Sequence, residues 1–341
     1  ITSTEASLVK QSIPNNLPHR VQPFFDREEE ITRVTKLLLD PDVRIVSIVG
    51  SPGVGKTALA LEVVHRLVEN GQFADGVYWV YCRYRDRALE QILETIQRSL
   101  ALLPLPTSRM AVRQYLAGHN VLLVLDKYDT IARDMEVLGF LTSLIGSSKV
   151  LIVSRDYAAR PLQTAEVRLE VLSTAVGVSL FLETARSLGK TIPATEAAAV
   201  TEIVQLLANN PLAIQLAAFG VGSDTQAPQT LAKSIIEKLK HDQTADNQQF
   251  VLETIIDAST SRLGEQSTTL FRRLAVFASS FYELAIAQVC QVDEWQTAIG
   301  ELQRAGLVDN AEKRYRLHPA VRAVAQSQLQ PLGEQDLFEE R

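Results

Sequence analysis

Gly50-Ser51-Pro52-Gly53-Val54-Gly55-Lys56-Thr57 satisfies the pattern G-x-x-x-x-G-K-[ST], and its flanks give that pattern mechanical meaning. The run 43–49 is β-branched and apolar enough for a strand buried in a parallel sheet, and 58–67 repeats apolar residues at helical spacing. A glycine turn from such a strand into a helix restricts the chain to an α/β fold. Glycines at 50, 53 and 55 let backbone N–H groups face an anion without a Cβ in the way, and the helix offers its positive dipole end to the same anion. The cradle so predicted is Gly53, Val54, Gly55, Lys56, Thr57 and Ala58, with a nucleoside triphosphate as its ligand. Lys56 would reach the β- and γ-phosphates, and Thr57 would ligate Mg²⁺. The competing reading is a plain turn that binds nothing.

The next strongly apolar run, 121–126, ends on Asp126. Buried strands often end in Asp because a turn begins there. Downstream of a phosphate loop, the same carboxylate fits a second anchor for the ion, held through water beside Thr57. A third run, 149–155, ends on Ser154 and Arg155, and at the carboxyl edge of a parallel sheet Arg155 could sense the γ-phosphate. The residue after Asp126 is Lys127. A protonated amine cannot orient an attacking water as a second acid would, so tight binding with slow hydrolysis is expected. Asp129 and Glu136 are the nearby carboxylates that could substitute. Lys56, Asp126 and Arg155 are the candidate catalytic residues, and Thr57 and Asp126 the metal ligands.

The order of these motifs resembles the STAND class of signal-transduction ATPases, in the NB-ARC or AP-ATPase branch. The segment Phe24-Phe25-Asp26-Arg27-Glu28 is similar to that family's hhGRExE stretch, with Asp26 in place of its glycine. The resemblance implies that Phe25 and Arg27 lie near the adenine and the phosphates. Asn209-Asn210-Pro211-Leu212-Ala213-Ile214 resembles the GLPLAI motif, whose proline packs on the base. With asparagines in the first two places, only Pro211 is carried over. Tyr315-Arg316-Leu317-His318-Pro319 resembles the MHD segment of a winged helix, whose histidine meets the β-phosphate in the ADP state. That role falls on His318, with Pro319 in place of the acid. The resemblance implies ATP or ADP with Mg²⁺ as ligands. It further implies a closed ADP state, an open ATP state that self-associates, and effector and sensor domains outside this fragment.

The 341 residues, 46% hydrophobic, suffice for two or three domains. The fold class expected is a P-loop NTPase parallel sheet with helices on both faces, followed by an all-helical and a winged-helix domain. The expected division is a linker over 1–22, a nucleotide-binding domain over 23–171, a helical domain over 172–243, a winged helix over 244–330 and a tail over 331–341. The pattern predicts helices over 174–187, 194–208, 211–219, 230–239, 282–289 and 293–305, with two wing strands at 306–309 and 315–317. No repeat of 20 to 50 residues is present. Cys82 and Cys290 lie in apolar stretches without metal spacing, which points to a reducing cytoplasm. The chain shows neither a membrane span nor a signal peptide. It opens on Ile1 and reads as an excised fragment.

Two rival classes remain. A winged helix with an ATPase module could be a DNA-binding transcription regulator. However, 247–341 holds 13 acids against 9 Lys and Arg and the net charge is −6, the wrong sign for a nucleic-acid partner. An actively cycling AAA+-like ATPase would need an acid beside Asp126 and an arginine for a neighbouring site, for which Arg83, Arg85 and Arg87 are candidates.

Overall fold

The computed structural model describes residues 13–21, 24–82, 87–100, 109–144, 146–155, 162, 164–221, 228–240, 248–277, 280–311 and 314–329. Arg83, Arg85, the tail 331–341 and part of the linker lie outside them. The chain divides into two compact units. One comprises Ile1–Gly50 with Lys56–Leu169, the other Ser51–Gly55 with Glu170–Arg341.

In the first unit the order is α1 (Glu28–Leu39), β1 (Ile45–Val49), α2 (Lys56–Glu69), β2 (Gly76–Tyr81), α3 (Ala88–Leu100), α4 (Arg109–Gly118), β3 (Val121–Asp126), α5 (Met135–Thr142), β4 (Lys149–Val153) and β5 (Ala165–Arg168). The strands form one parallel sheet in the order β2-β3-β4-β1-β5. This bears out the α/β P-loop class expected from the motifs. β1, β3 and β4 are buried at every position, as continuous apolar runs covered on both faces must be. α1 shows the complementary pattern, with Ile31, Val34 and Leu38 buried at helical spacing and three acids in its first turn. The register aligns Ile48 with Val153 and Val153 with Asp126. The ends of β1, β4 and β3 therefore meet along one carboxyl edge, where ligands of such sheets gather.

Residues 13–21, expected as linker, are drawn onto this unit. Val77 N donates to Pro14 O at 2.9 Å. The Asn16 side chain bonds both main-chain groups of Trp79, accepting from its N at 2.7 Å and donating to its O at 2.9 Å. β2 is an edge strand, so a side-chain amide there supplies the bonds a neighbouring strand would make.

The second unit continues with α6 (Thr174–Ser187), α7 (Ala197–Leu206), α8 (Pro211–Gly220), α9 (Pro228–Lys240), α10 (Gln248–Thr260), α11 (Glu265–Arg273), β6 (Phe281–Tyr282), α12 (Glu283–Ala285), α13 (Trp295–Arg304), β7 (Asp309–Ala311), β8 (Arg314–Arg316) and α14 (Pro319–Leu329). α6 to α10 pack on one another, α11 packs on α13 and α14, and β6, β8 and β7 form an antiparallel sheet in that order. Two details differ from the sequence reading. The helix expected over 282–289 is a single α turn followed by a π-helical turn, Ile286–Cys290. The strand expected at 306–309 starts only at Asp309, because Gly306 ends α13. Gly306 has φ +70°, its N bonds Gln303 O and Leu307 N bonds Leu302 O, the paired bonds of a Schellman cap.

Candidate nucleotide-binding site

In the first unit, β1 runs out at Val49 and α2 begins at Lys56. Lys56 Nζ donates to Gly50 O at 2.7 Å, which ties the ammonium to the start of the phosphate loop. One helical residue on, Thr57 Oγ1 donates to Asp126 Oδ1 at 3.1 Å. The two residues named as metal ligands are thus side by side. Asp126 is 1% exposed, and Oδ1 also accepts from Lys127 N at 3.0 Å. Its other oxygen, Oδ2, is buried without a hydrogen-bond partner among the described residues. Burial pushes the carboxyl up to about 6, against the pull of Lys127 and the Thr57 bond. A buried carboxylate oxygen with no donor is costly, and a hard cation is a ligand that relieves it.

Lys127 has φ +60° and ψ +40°, a left-handed conformation uncommon for a side chain of this kind. That turn is what delivers its N–H to the carboxylate of the preceding residue. Arg155 follows β4, and its N donates to Asp129 Oδ1 at 3.2 Å while Nε stands 3.6 Å from Oδ2. Asp129, one of the two acids offered as a stand-in base, is therefore engaged by the proposed γ-phosphate sensor. The other, Glu136, is exposed in the first turn of α5. Ser154 Oγ, one residue before Arg155, is buried without a partner among the described residues.

Upstream, Asp26 stands where the family has glycine, and it adopts φ +45°. The left-handed geometry is kept, since Asp tolerates that region better than most residues. Arg27 is 8% exposed and pairs with Glu30 at 2.8 Å, while Phe25 is partly buried. Arg87, one of the arginines considered for a neighbouring site, pairs with Glu94 at 3.4 Å on the surface.

The second unit holds the middle of the phosphate loop, with Gly53 at φ +77°, Gly55 at φ +103° and Val54 buried. It also holds Pro211 and His318. Pro211 opens α8, where its missing N–H costs nothing. Asn209, in place of the motif's glycine, takes φ +55°. Asn210 is wholly buried; its Oδ1 accepts from Leu212 N and Ala213 N, and its Nδ2 donates to Pro52 O at 2.9 Å. Transfer of motif roles overlooked this residue, although Asn before Pro is itself a helix-start signal. His318 is exposed and precedes α14, with Nδ1 accepting from Ala320 N at 3.2 Å.

Residues 27–186 match the NB-ARC domain model. The chain contains an NB-ARC domain. The match bears out the resemblance read from the motifs, and it gives the chain a nucleotide-binding P-loop ATPase module. A signal-transduction ATPase with numerous domains and a tetratricopeptide-repeat sensor, from Pyrococcus horikoshii, is similar in structure. It shares 17% identity with a TM-score of 0.57 over 91% of this chain, which spans 43% of that protein. A Walker-type ATPase of Pyrococcus abyssi shares 13% identity with a TM-score of 0.50, covering 91% of this chain and 98% of that one. Both likenesses concern the fold. No curated protein matches the chain. Among the described residues, no helix is long and apolar enough to cross a membrane. None of their His, Cys, Asp and Glu side chains form a metal-holding group of three or more. Thr57 and Asp126 put one hydroxyl and one carboxylate side by side, a set that would suit Mg²⁺ shared with phosphates.

Proposed function

We propose that this chain is the ATP/ADP-binding switch of a STAND-type signalling protein, closed with ADP, open and self-associating with ATP, and slow to hydrolyse. The observation that carries the reading is the Thr57–Asp126 pair, with its unpartnered buried Oδ2, directly after a complete phosphate loop. Phe25 and Arg27 would lie toward the nucleotide, the backbone of Gly53, Val54, Gly55 and Ala58 would receive phosphate, and Lys56 would reach the β- and γ-phosphates. Thr57 and Asp126 would hold Mg²⁺, which when bound offsets the charge of the phosphate oxygens.

Slow chemistry follows from what stands beside Asp126. Lys127 is a cation whose backbone is committed to the Asp126 turn, and Asp129 is paired with Arg155. A γ-phosphate competing for Arg155 would break that pair. This gives ATP a contact that ADP lacks, as a ligand-driven change of state requires. In the ADP state Pro211 would pack on the base and His318 would meet the β-phosphate. With Nδ1 accepting from Ala320 N, the neutral ring carries its proton on Nε2 and can donate to phosphate.

We read the parts as a nucleotide-binding domain over 23–171, a helical domain over 172–243 and a winged helix over 244–330. Sensor and effector domains would lie outside this segment, and Cys82 and Cys290, both buried and free, would fit a cytoplasmic protein. The test is steady-state ATP turnover of the purified chain. The expected rate is well below one per minute, the range of slow P-loop switches. Sustained turnover above about 1 s⁻¹ would place the chain among cycling ATPases instead.

A further inference from the structure

Within the second unit, one fully buried side chain bonds the phosphate loop. Asn210 Nδ2 donates to Pro52 O at 2.9 Å, and its Oδ1 caps α8 by accepting from Leu212 N at 3.1 Å and Ala213 N at 3.3 Å. The next loop carbonyl is held as well, with Leu212 N donating to Gly53 O at 3.3 Å. In a planar trans peptide the carbonyl and the following N–H point in opposite directions. Turning the carbonyls of Pro52 and Gly53 toward α8 therefore turns the N–H groups of Gly53 and Val54 away from it. Val54 N makes a long turn bond, 3.4 Å to Ser51 O.

The fit is close. A Cβ on Gly53 would stand 2.7 Å from Asn210 Oδ1, and its φ of +77° already excludes most side chains. Asn210 is itself aimed by two consecutive left-handed residues, Ala208 and Asn209. Asn209 is fixed in turn, with O accepting from Leu172 N and Oδ1 from Thr174 Oγ1, both at 3.3 Å.

We propose that Asn210 is a positioning residue for phosphate binding. Its amide sets the peptide planes of the loop, so that the start of α8 and the anion-binding backbone take up one arrangement together. A leucine at 210 could neither cap α8 nor orient Pro52. The proposal rests on the phosphate-loop reading above, and the test separates the two.

Asn210→Ser keeps a cap of equal quality but removes the donor to Pro52 O. The variant should remain folded and bind ADP and ATP roughly fivefold to tenfold more weakly. In ¹⁵N-labelled protein the amide resonances of Gly53 and Val54 should shift. Unchanged affinity in the folded variant would leave Asn210 a helix cap only and overturn the proposal. If the serine variant does not fold, Asn210→Asp carries the same test, since it keeps the shape and the acceptors and loses the donor. Failure of both to fold would make Asn210 a folding residue and also overturn the proposal. If Lys56→Ala leaves nucleotide binding intact, the phosphate-loop reading itself fails. If Lys56→Ala abolishes binding while Asn210→Ser is neutral, only the present inference fails.

Discussion

α8 and α14 begin in the same way, with a side-chain cap followed by proline at the first helical position, yet the two caps sit in opposite surroundings. Asn210 is wholly buried and has both ends of its amide engaged, whereas His318 is exposed. The local device is shared because proline lacks the N–H that a helix start leaves over, and a polar side chain satisfies the next one. Burial decides what else the cap can do. An amide with no access to water belongs to the framework of the loop, while an exposed imidazole can meet a ligand and leave it again.

The largest expected effect separates the two caps by stability. Asn210→Ala should cost about 2 to 3 kcal/mol, since it removes the cap and leaves the bond to Pro52 O unmade. His318→Ala should cost about 0.5 kcal/mol, the low end for an exposed cap. Denaturant melts of the nucleotide-free variants measure both, and equal losses would break the contrast. A comparable effect concerns the buried acid of the first unit. Asp126 is raised from 3.8 to about 6, so the penalty for burying its charge is fully present above pH 6. It falls away as the pH drops through 6 toward 4. Asp126→Asn should therefore gain on the parent by about 3 kcal/mol at pH 8 and by roughly half of that at pH 5. Melts without Mg²⁺ or nucleotide test this, and a gain independent of pH would remove the account of the orphaned oxygen. The smallest effect sharpens the role of the exposed cap: His318→Ala should weaken ADP more than ATP by about 1 to 2 kcal/mol. Equal weakening would make His318 a uniform contact, and none would confine it to capping α14.

What the sequence disclosed was local. A glycine pattern between an apolar strand and a helix, a strand ending on Asp126 and a third run ending on Ser154 and Arg155 suffice to indicate a parallel α/β sheet, because each signal lies within a few residues. Interactions distant in the chain were not legible. Asn16 pairs with Trp79 on the free edge of β2, and Arg20 bridges Glu62 and Glu69 on α2, so a polar, proline-broken segment is held where composition suggested a linker. The apolar neighbours of Gly306 favour a strand, although glycine after a helical run equally signals a left-handed cap. The role of Asn210 is hidden for a different reason. Measured against a motif with leucine in its place it counts as a mismatch, and only its contact with Pro52 shows what the asparagine does. The Asp129–Arg155 pair joins residues 26 apart, which no spacing rule indicates.

The central claim is that the loop from Gly50 to Thr57 binds nucleotide through its phosphates, and calorimetric titration of the parent chain and of Lys56→Ala with ADP and ATP tests it most directly. The parent should bind both nucleotides, and the folded variant should show no measurable heat with either. Affinity unchanged in Lys56→Ala, with its melting curve intact, would contradict the account.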